Sequence, residues 1–253
     1  MTIKGVLVDL SGTLHLGAEP LPGALDAVKK LYRSGLPLRF VTNTSRMSRR
    51  RLQALLEKMS FAIRPEHLFT APMAMHRYLR EEGLRPHLLV HPDLREEFAD
   101  LPQNDPDAVV LGYAREAFTY ESLNAAFRLL MAGASLLATG RTRYFQDGEA
   151  LSLDAGPFIA ALEYAAATEA KVLGKPSADF FLAAAGEIGC RPEETVMIGD
   201  DAASDVGGGI QAGLLGILVR TGKYRPGDEG ILEGRGEVAA NAGEAVAKVL
   251  ERA

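Results

Sequence analysis

Short apolar runs and helix-spaced stretches alternate along the first eighty residues. Residues 3–10 are β-branched and apolar over a length that suits a buried strand. Residues 21–34 place Leu25, Val28 and Leu31 at helical spacing, and Gly35 and Pro37 then stop the pattern. Residues 36–43 (LPLRFVTN) predict a second strand, and 48–59 an amphipathic, arginine-rich helix. Such alternation predicts βαβ units around a parallel sheet. The last third repeats the texture. Residues 171–174 read as a short strand, 177–188 as a helix, and 195–199 (TVMIG) as a strand running into Asp200 and Asp201. Another apolar run spans 216–219, and a closing helix spans 242–252.

The middle of the chain has its own strand patterns at 87–91, 108–112 and 135–139, separated by helix-like segments of which 120–131 is the clearest. The stretch RYFQDGEALSL (143–153) carries Asp147-Gly148, a hairpin turn signal. These patterns predict an α/β protein with a Rossmann-like parallel-sheet core formed by residues 1–82 and 170–253. Residues 83–169 form an inserted, smaller α/β domain.

Composition narrows the setting without naming a function. At 253 residues and 47% hydrophobic residues, the chain can bury a substantial core. A formal charge of −5 with no long basic cluster argues against a nucleic-acid partner. Cys190 is the sole cysteine, which excludes an intrachain disulfide and fits a reducing compartment. Its place at a helix end reads as packing rather than as a reactive thiol. With no apolar run long enough to span a bilayer and an N-terminus that opens on a strand pattern, the expectation is a cytoplasmic protein without a membrane partner.

Ligands of open parallel sheets gather beyond the carboxyl ends of the strands. Four polar clusters fall at such ends: Asp9-Leu10-Ser11-Gly12-Thr13, Thr42-Asn43, Gly174-Lys175-Pro176, and Gly199-Asp200-Asp201 with Asp205. Together they offer carboxylates for a divalent ion, a lysine for phosphate charge, and hydroxyl and amide donors. Magnesium held by one or two carboxylates plus a substrate phosphate matches that inventory.

In this order, with an insert between the second and third, DLSGTL, VTNTS, LGKPS and IGDDAASD resemble the four motifs of the haloacid dehalogenase superfamily, and the insert resembles its large α/β cap. Over essentially the whole chain, further segments such as LSLDAGPFIAALEYA and VRTGKYRPGDE resemble the subgroup that hydrolyses phospholysine, phosphohistidine and pyrophosphate. The resemblance implies that Asp9 is the nucleophile and a Mg2+ ligand. Ser11 would offer its backbone carbonyl to the metal, and Asp200 a second carboxylate. Asp201 and Asp205 would bind metal-held water or orient the site. Thr42 and Asn43 would hold phosphoryl oxygens, with Leu10 and Ser11 beside them, and Lys175 would neutralise nucleophile and phosphate. It also implies a homodimer formed through the cap.

Most phosphatases of that superfamily carry a second aspartate where Ser11 stands. General acid–base help is worth about 10²–10⁴ in rate. Its loss matters most for alcohol leaving groups and least for a phosphoramidate nitrogen or pyrophosphate. The substrate expected is therefore a small phosphorylated compound with a P–N or pyrophosphate bond. A general phosphomonoesterase and a catalytically weak phospho-ligand-binding protein are the alternatives. His15 is a possible substitute base, although a solvated loop position is the simpler expectation.

Other signals have blander readings. Gly207 to Ala212 formally fits a dinucleotide fingerprint but follows no strand directly, so close helix packing is expected. Arg46, Arg49, Arg50 and Arg51 read as a solvated face. Phe158, Leu162 and Ala165 read as a core or subunit stripe. Arg141, Arg143 and Tyr144 are either substrate-contacting groups of the insert or a solvated hairpin edge.

Overall fold

The structure, a computed structural model, describes residues 2–147, 150–232 and 234–253. The chain divides into two compact units. The first contains Met1–Thr42, Arg49–Phe69 and Lys175–Ala253, and the second Asn43–Ser48 and Thr70–Gly174.

The first unit is built on a six-stranded sheet in the order Gly236–Ala239, Leu215–Val219, Thr195–Gly199, Gly5–Asp9, Leu38–Thr42, Leu68–Thr70. The first five of these run parallel. Every residue of Gly5–Asp9 is buried, as expected of a strand covered on both faces. The chain winds outward from this strand in one direction and later returns on its other side. The carboxyl end of Gly5–Asp9 is thus the switch point of the sheet, where the connections to the neighbouring strands leave in opposite directions and where ligands of such sheets bind. Val6 pairs with Val196 on one side and Leu38 on the other, which brings the ends of three strands level. The helix Ala24–Ser34 buries Ala24, Ala27, Val28 and Leu31 and packs against the helix Ala242–Leu250. The helix Ala178–Glu187 lays Phe180 beside Phe69 of the edge strand, with ring centroids 5.1 Å apart.

The second unit holds a four-stranded parallel sheet in the order Lys171–Val172, Ser135–Ala138, Ala108–Leu111, Pro86–Leu89. Strand alternation sorts its side chains into two apolar layers. Leu88, Val110 and Leu137 join Met75, Leu79, Leu94 and Phe98. Leu89, Val109 and Leu136 join Ala126, Leu130, Ile159 and Leu162. The helix Tyr120–Met131 starts at a capping box, in which Thr119 and Ser122 each satisfy the other's backbone N–H. Tyr144–Asp147 pairs antiparallel with Ala150–Leu153. Gly148 of the expected Asp147-Gly148 turn lies outside the described residues.

The α/β architecture agrees with the sequence pattern, and the partition differs in two places. The helix Ala71–Glu81 packs its Met75 and Leu79 into the second unit's core, so that unit starts before residue 83. The short strand expected in the core sheet, Lys171–Val172, instead pairs with Ser135–Ala138 and carries the unit past residue 169. A short apolar run carries no mark of the sheet it will join. The strands Leu68–Thr70 and Gly236–Ala239 were not legible either, being only three and four residues long.

Candidate active site

Asp9 ends the central strand of the first unit and is 5% exposed. Asp200 and Asp205 follow the neighbouring strand Thr195–Gly199, and both are buried. Between the carboxylates stands the ammonium of Lys175, itself buried, donating to Asp9 Oδ1 at 2.5 Å and to Asp205 Oδ1 at 2.6 Å. One carboxylate oxygen from each of Asp9, Asp200 and Asp205 lies within 4.8 Å of the other two.

This cluster confines three carboxylates and one ammonium away from water, an arrangement that leaves excess negative charge. Burial pushes the Asp9 carboxyl up to about 6 against the pull of Lys175, and nearby Asp200 pushes it the same way. Burial and the Asp9 charge likewise raise Asp205 to about 6. Asp200 is raised by burial and by Asp205, despite hydrogen bonds from the Lys223 N–H at 2.8 Å and the Thr13 hydroxyl at 3.1 Å. Burial opposes the Lys175 charge, but Asp205 and Asp9 outweigh it and hold the group protonated. All-oxygen donors with unbalanced negative charge fit a hard divalent cation.

Each remaining residue named from sequence has a definite place. The Leu10 N–H donates to the Asp9 carboxylate, and the Leu10 carbonyl accepts the N–H groups of Leu14 and His15, closing the turn. Ser11, at the head of that turn, is exposed. Thr42 is buried one residue beyond the register partner of Asp9 on the adjacent strand, and Asn43 opens the second unit. Asp201 stands apart from the three-carboxylate cluster. It accepts from the Ser204 N–H at 2.8 Å and from the Lys223 ammonium at 2.9 Å. Burial pushes the Asp201 carboxyl up, yet these partners hold it below the usual range. In the second unit, Arg141 donates to both oxygens of Glu163, at 2.9 and 2.6 Å, and Arg143 lies 5.7 Å from the Tyr144 ring centroid.

His15 is not a solvated loop residue. It is buried, its Nδ1 sits 2.9 Å from the Gly17 carbonyl, and burial lowers its pKa. The glycine-rich stretch after Asp205 packs closely, as expected; a side chain at Gly208 would meet Phe181 and Pro176. Arg46 leaves the expected helix face and stacks over the Phe145 ring at 4.4 Å.

Sequence reasoning assigned no role to Thr221, Gly222 and Lys223. Thr221 donates to the Gly12 carbonyl at 2.5 Å, and the Lys223 N–H and ammonium reach Asp200 and Asp201. Gly222 has φ 57°, and a Cβ there would fall on the Asp200 carboxylate and on Gly12. The signal was available: this tripeptide follows the strand Leu215–Val219, at the carboxyl edge where ligands collect.

Residues 6–102 match the family described as haloacid dehalogenase-like hydrolase, and residues 172–249 match the related HAD-hydrolase-like family. Haloacid dehalogenase-like hydrolase domain-containing protein 2 of Homo sapiens is 48% identical over 227 residues, covering 90% of this chain and 88% of that protein. The chain belongs to the haloacid dehalogenase-like hydrolases. Phospholysine phosphohistidine inorganic pyrophosphate phosphatase of Rattus norvegicus is 42% identical over 256 residues, covering 98% of this chain and 95% of that one. Among solved structures, a 4-nitrophenylphosphatase from Thermotoga maritima superposes with a TM-score of 0.88 at 28% identity, covering 98% and 97% of the two chains. The protein is thus a phosphatase of the haloacid dehalogenase-like class, and its second sheet is the cap of that fold. Its Asp9, Asp200 and Asp205 form a buried carboxylate cluster that could hold a metal ion.

Proposed function

We propose that the protein is a magnesium-dependent phosphohydrolase that forms an aspartyl-phosphate on Asp9. The observation that carries this reading is the ammonium of Lys175 bridging Asp9 and Asp205 inside the three-carboxylate cluster. An Asp9 oxygen attacks phosphorus, the bond to the leaving group breaks, and the leaving group departs with that electron pair. Water then cleaves the acyl-phosphate, releasing phosphate and restoring the carboxylate. Lys175 offsets the repulsion between the Asp9 carboxylate and the incoming phosphoryl group. Asp9, Asp200 and the Ser11 carbonyl would hold the magnesium, with Asp201 and Asp205 orienting them. When bound, the ion would supply a positive charge for the phosphoryl oxygens. Thr42, Asn43 and the Leu10-Ser11 turn would receive those oxygens.

Ser11 supplies no carboxylic acid, which favours substrates that bring their own good leaving group: phosphoramidates and pyrophosphate. The similarity to a phospholysine phosphohistidine inorganic pyrophosphate phosphatase supports the same choice. A second reading, a general phosphomonoesterase, is favoured by the likeness to a 4-nitrophenylphosphatase. Steady-state rates on pyrophosphate, phospholysine and glycerol phosphate separate the two. The first reading expects the alkyl ester to be slowest; equal or faster turnover of glycerol phosphate supports the second.

A single cysteine, Cys190, fits a cytoplasmic setting. No helix among the described residues is long and apolar enough to cross a membrane. A cap-mediated homodimer fits the apolar side chains that the second unit exposes: Tyr144, Leu151 and Leu153 on its β-ribbon, and Tyr164 at 92% exposure.

A further inference from the structure

At the amino end of the strand Leu38–Thr42, away from Thr42 and Asp9, lies a cavity of about 270 Å³. Its charged and aromatic walls are Tyr32, Arg39, Arg64 and His67, and no carboxylate residue lines it. Arg39 is fixed by three hydrogen bonds, from Nε to Glu187 Oε2 at 3.2 Å, from Nη1 to the Leu38 carbonyl at 3.1 Å and from Nη2 to the Glu187 carbonyl at 3.4 Å. The Tyr32 ring organises Arg64 and His67. His67 stacks on it with centroids 5.3 Å apart, and the Arg64 guanidinium stands 5.0 Å from its centroid. The Tyr32 hydroxyl accepts the Arg64 N–H at 3.1 Å and is hydrogen-bonded to His67 Nδ1 at 2.9 Å. His67 Nε2 has no hydrogen-bond partner among the described residues. Among the described residues the one carboxylate paired with Arg64 is Glu66, at 3.7 Å with both side chains more than half exposed, a pair of little strength.

We propose that this cavity is a second anion site, one that binds a compact phosphate group with Arg64 and His67 gripping it and Arg39, its guanidinium paired with Glu187, as part of the wall. Guanidinium and imidazole donors suit a phosphate dianion. At about 270 Å³ the cavity has room for free phosphate or a short phosphate monoester. The site stands in the first unit alone and does not depend on the catalytic reading.

The test uses the full-length Asp9→Asn protein in excess chelator, so that neither turnover nor a metal-bound phosphate contributes. Inorganic phosphate is titrated by calorimetry in one arm and glycerol phosphate in the other, each against chloride at matched ionic strength. Saturable one-site binding is expected in at least one arm, and the pattern tells free phosphate from a monoester. Arg64→Gln and His67→Gln should each weaken it by about tenfold, the loss of one hydrogen bond to the anion, with a cooperative thermal transition retained. Tyr32→Phe, which keeps the ring and removes the hydroxyl, should weaken it as well and serves if either of the other variants folds poorly. Absence of saturable binding in both arms, or binding undiminished in all these variants, would overturn the proposal. Because Asp9 is already disabled, either result leaves the catalytic reading standing.

Discussion

Asp9 and Asp205 share one ammonium, and that sharing sets most of what single residues should do. Both carboxyls stand at about 6 in the metal-free protein, above their ordinary 3.8. The folded chain therefore retains protons that the unfolded chain has released. Folding stability falls as pH rises through that interval and stays lower above it. A cation that binds the ionised carboxylates restores the loss. The magnesium-induced rise in thermal midpoint should accordingly be larger at about pH 7.5 than at about pH 5.5; an equal rise would contradict the assigned cluster. Lys175→Met removes the only ammonium hydrogen-bonded to Asp9 and Asp205 among the described residues, and turnover should drop by about 10²–10³-fold. Ser11→Asp should raise activity on glycerol phosphate more than on pyrophosphate, because only the alkoxide leaving group needs the acid. An unchanged ratio would count against the leaving-group argument.

Elements, not isolated side chains, hold these groups in place. The turn after Gly5–Asp9, the π-helical Ala202–Gly207 and the tripeptide Thr221 to Lys223 meet around Asp200. Gly222→Ala adds a methyl against the Asp200 carboxylate at a positive φ, so it should weaken magnesium binding measured by calorimetry. It should also cost about 1–3 kcal/mol in denaturant unfolding. Unchanged affinity would show that this tripeptide does not position Asp200. The same elements mark how far the sequence could be read. The strand ending in Asp9 and the strand running into Asp200 were legible because a buried apolar run breaking on a carboxylate is a conspicuous local contrast. The role of Lys223 was not, since its backbone N–H acts on Asp200 and backbone donors leave no trace in residue type. His15 was misplaced for a related reason: a polar side chain two residues past a Gly-Thr turn reads as solvated until the turn folds it inward.

For the molecule as a whole, the interrupted βα pattern announced an α/β core with an insert, and the unit boundaries depended on packing that no local pattern displays. Met75 and Leu79 carry the same helical spacing whichever core they enter. The Arg141–Glu163 pair shows the converse, an arginine that looked available in sequence and is committed by tertiary structure. If the exposed Tyr164 face forms the proposed homodimer, light scattering should report a dimer that Tyr164→Lys weakens toward monomer; a monomeric parent protein would remove that part of the account. The rest depends on Asp9 becoming phosphorylated, and a rapid acid quench during pyrophosphate hydrolysis with magnesium reads it directly. Peptide mass spectrometry should find an alkali-labile phosphoryl group on the peptide containing Asp9, absent from the inactive Asp9→Asn protein. Full turnover by Asp9→Asn, or a phosphoryl group trapped on another residue, would contradict it.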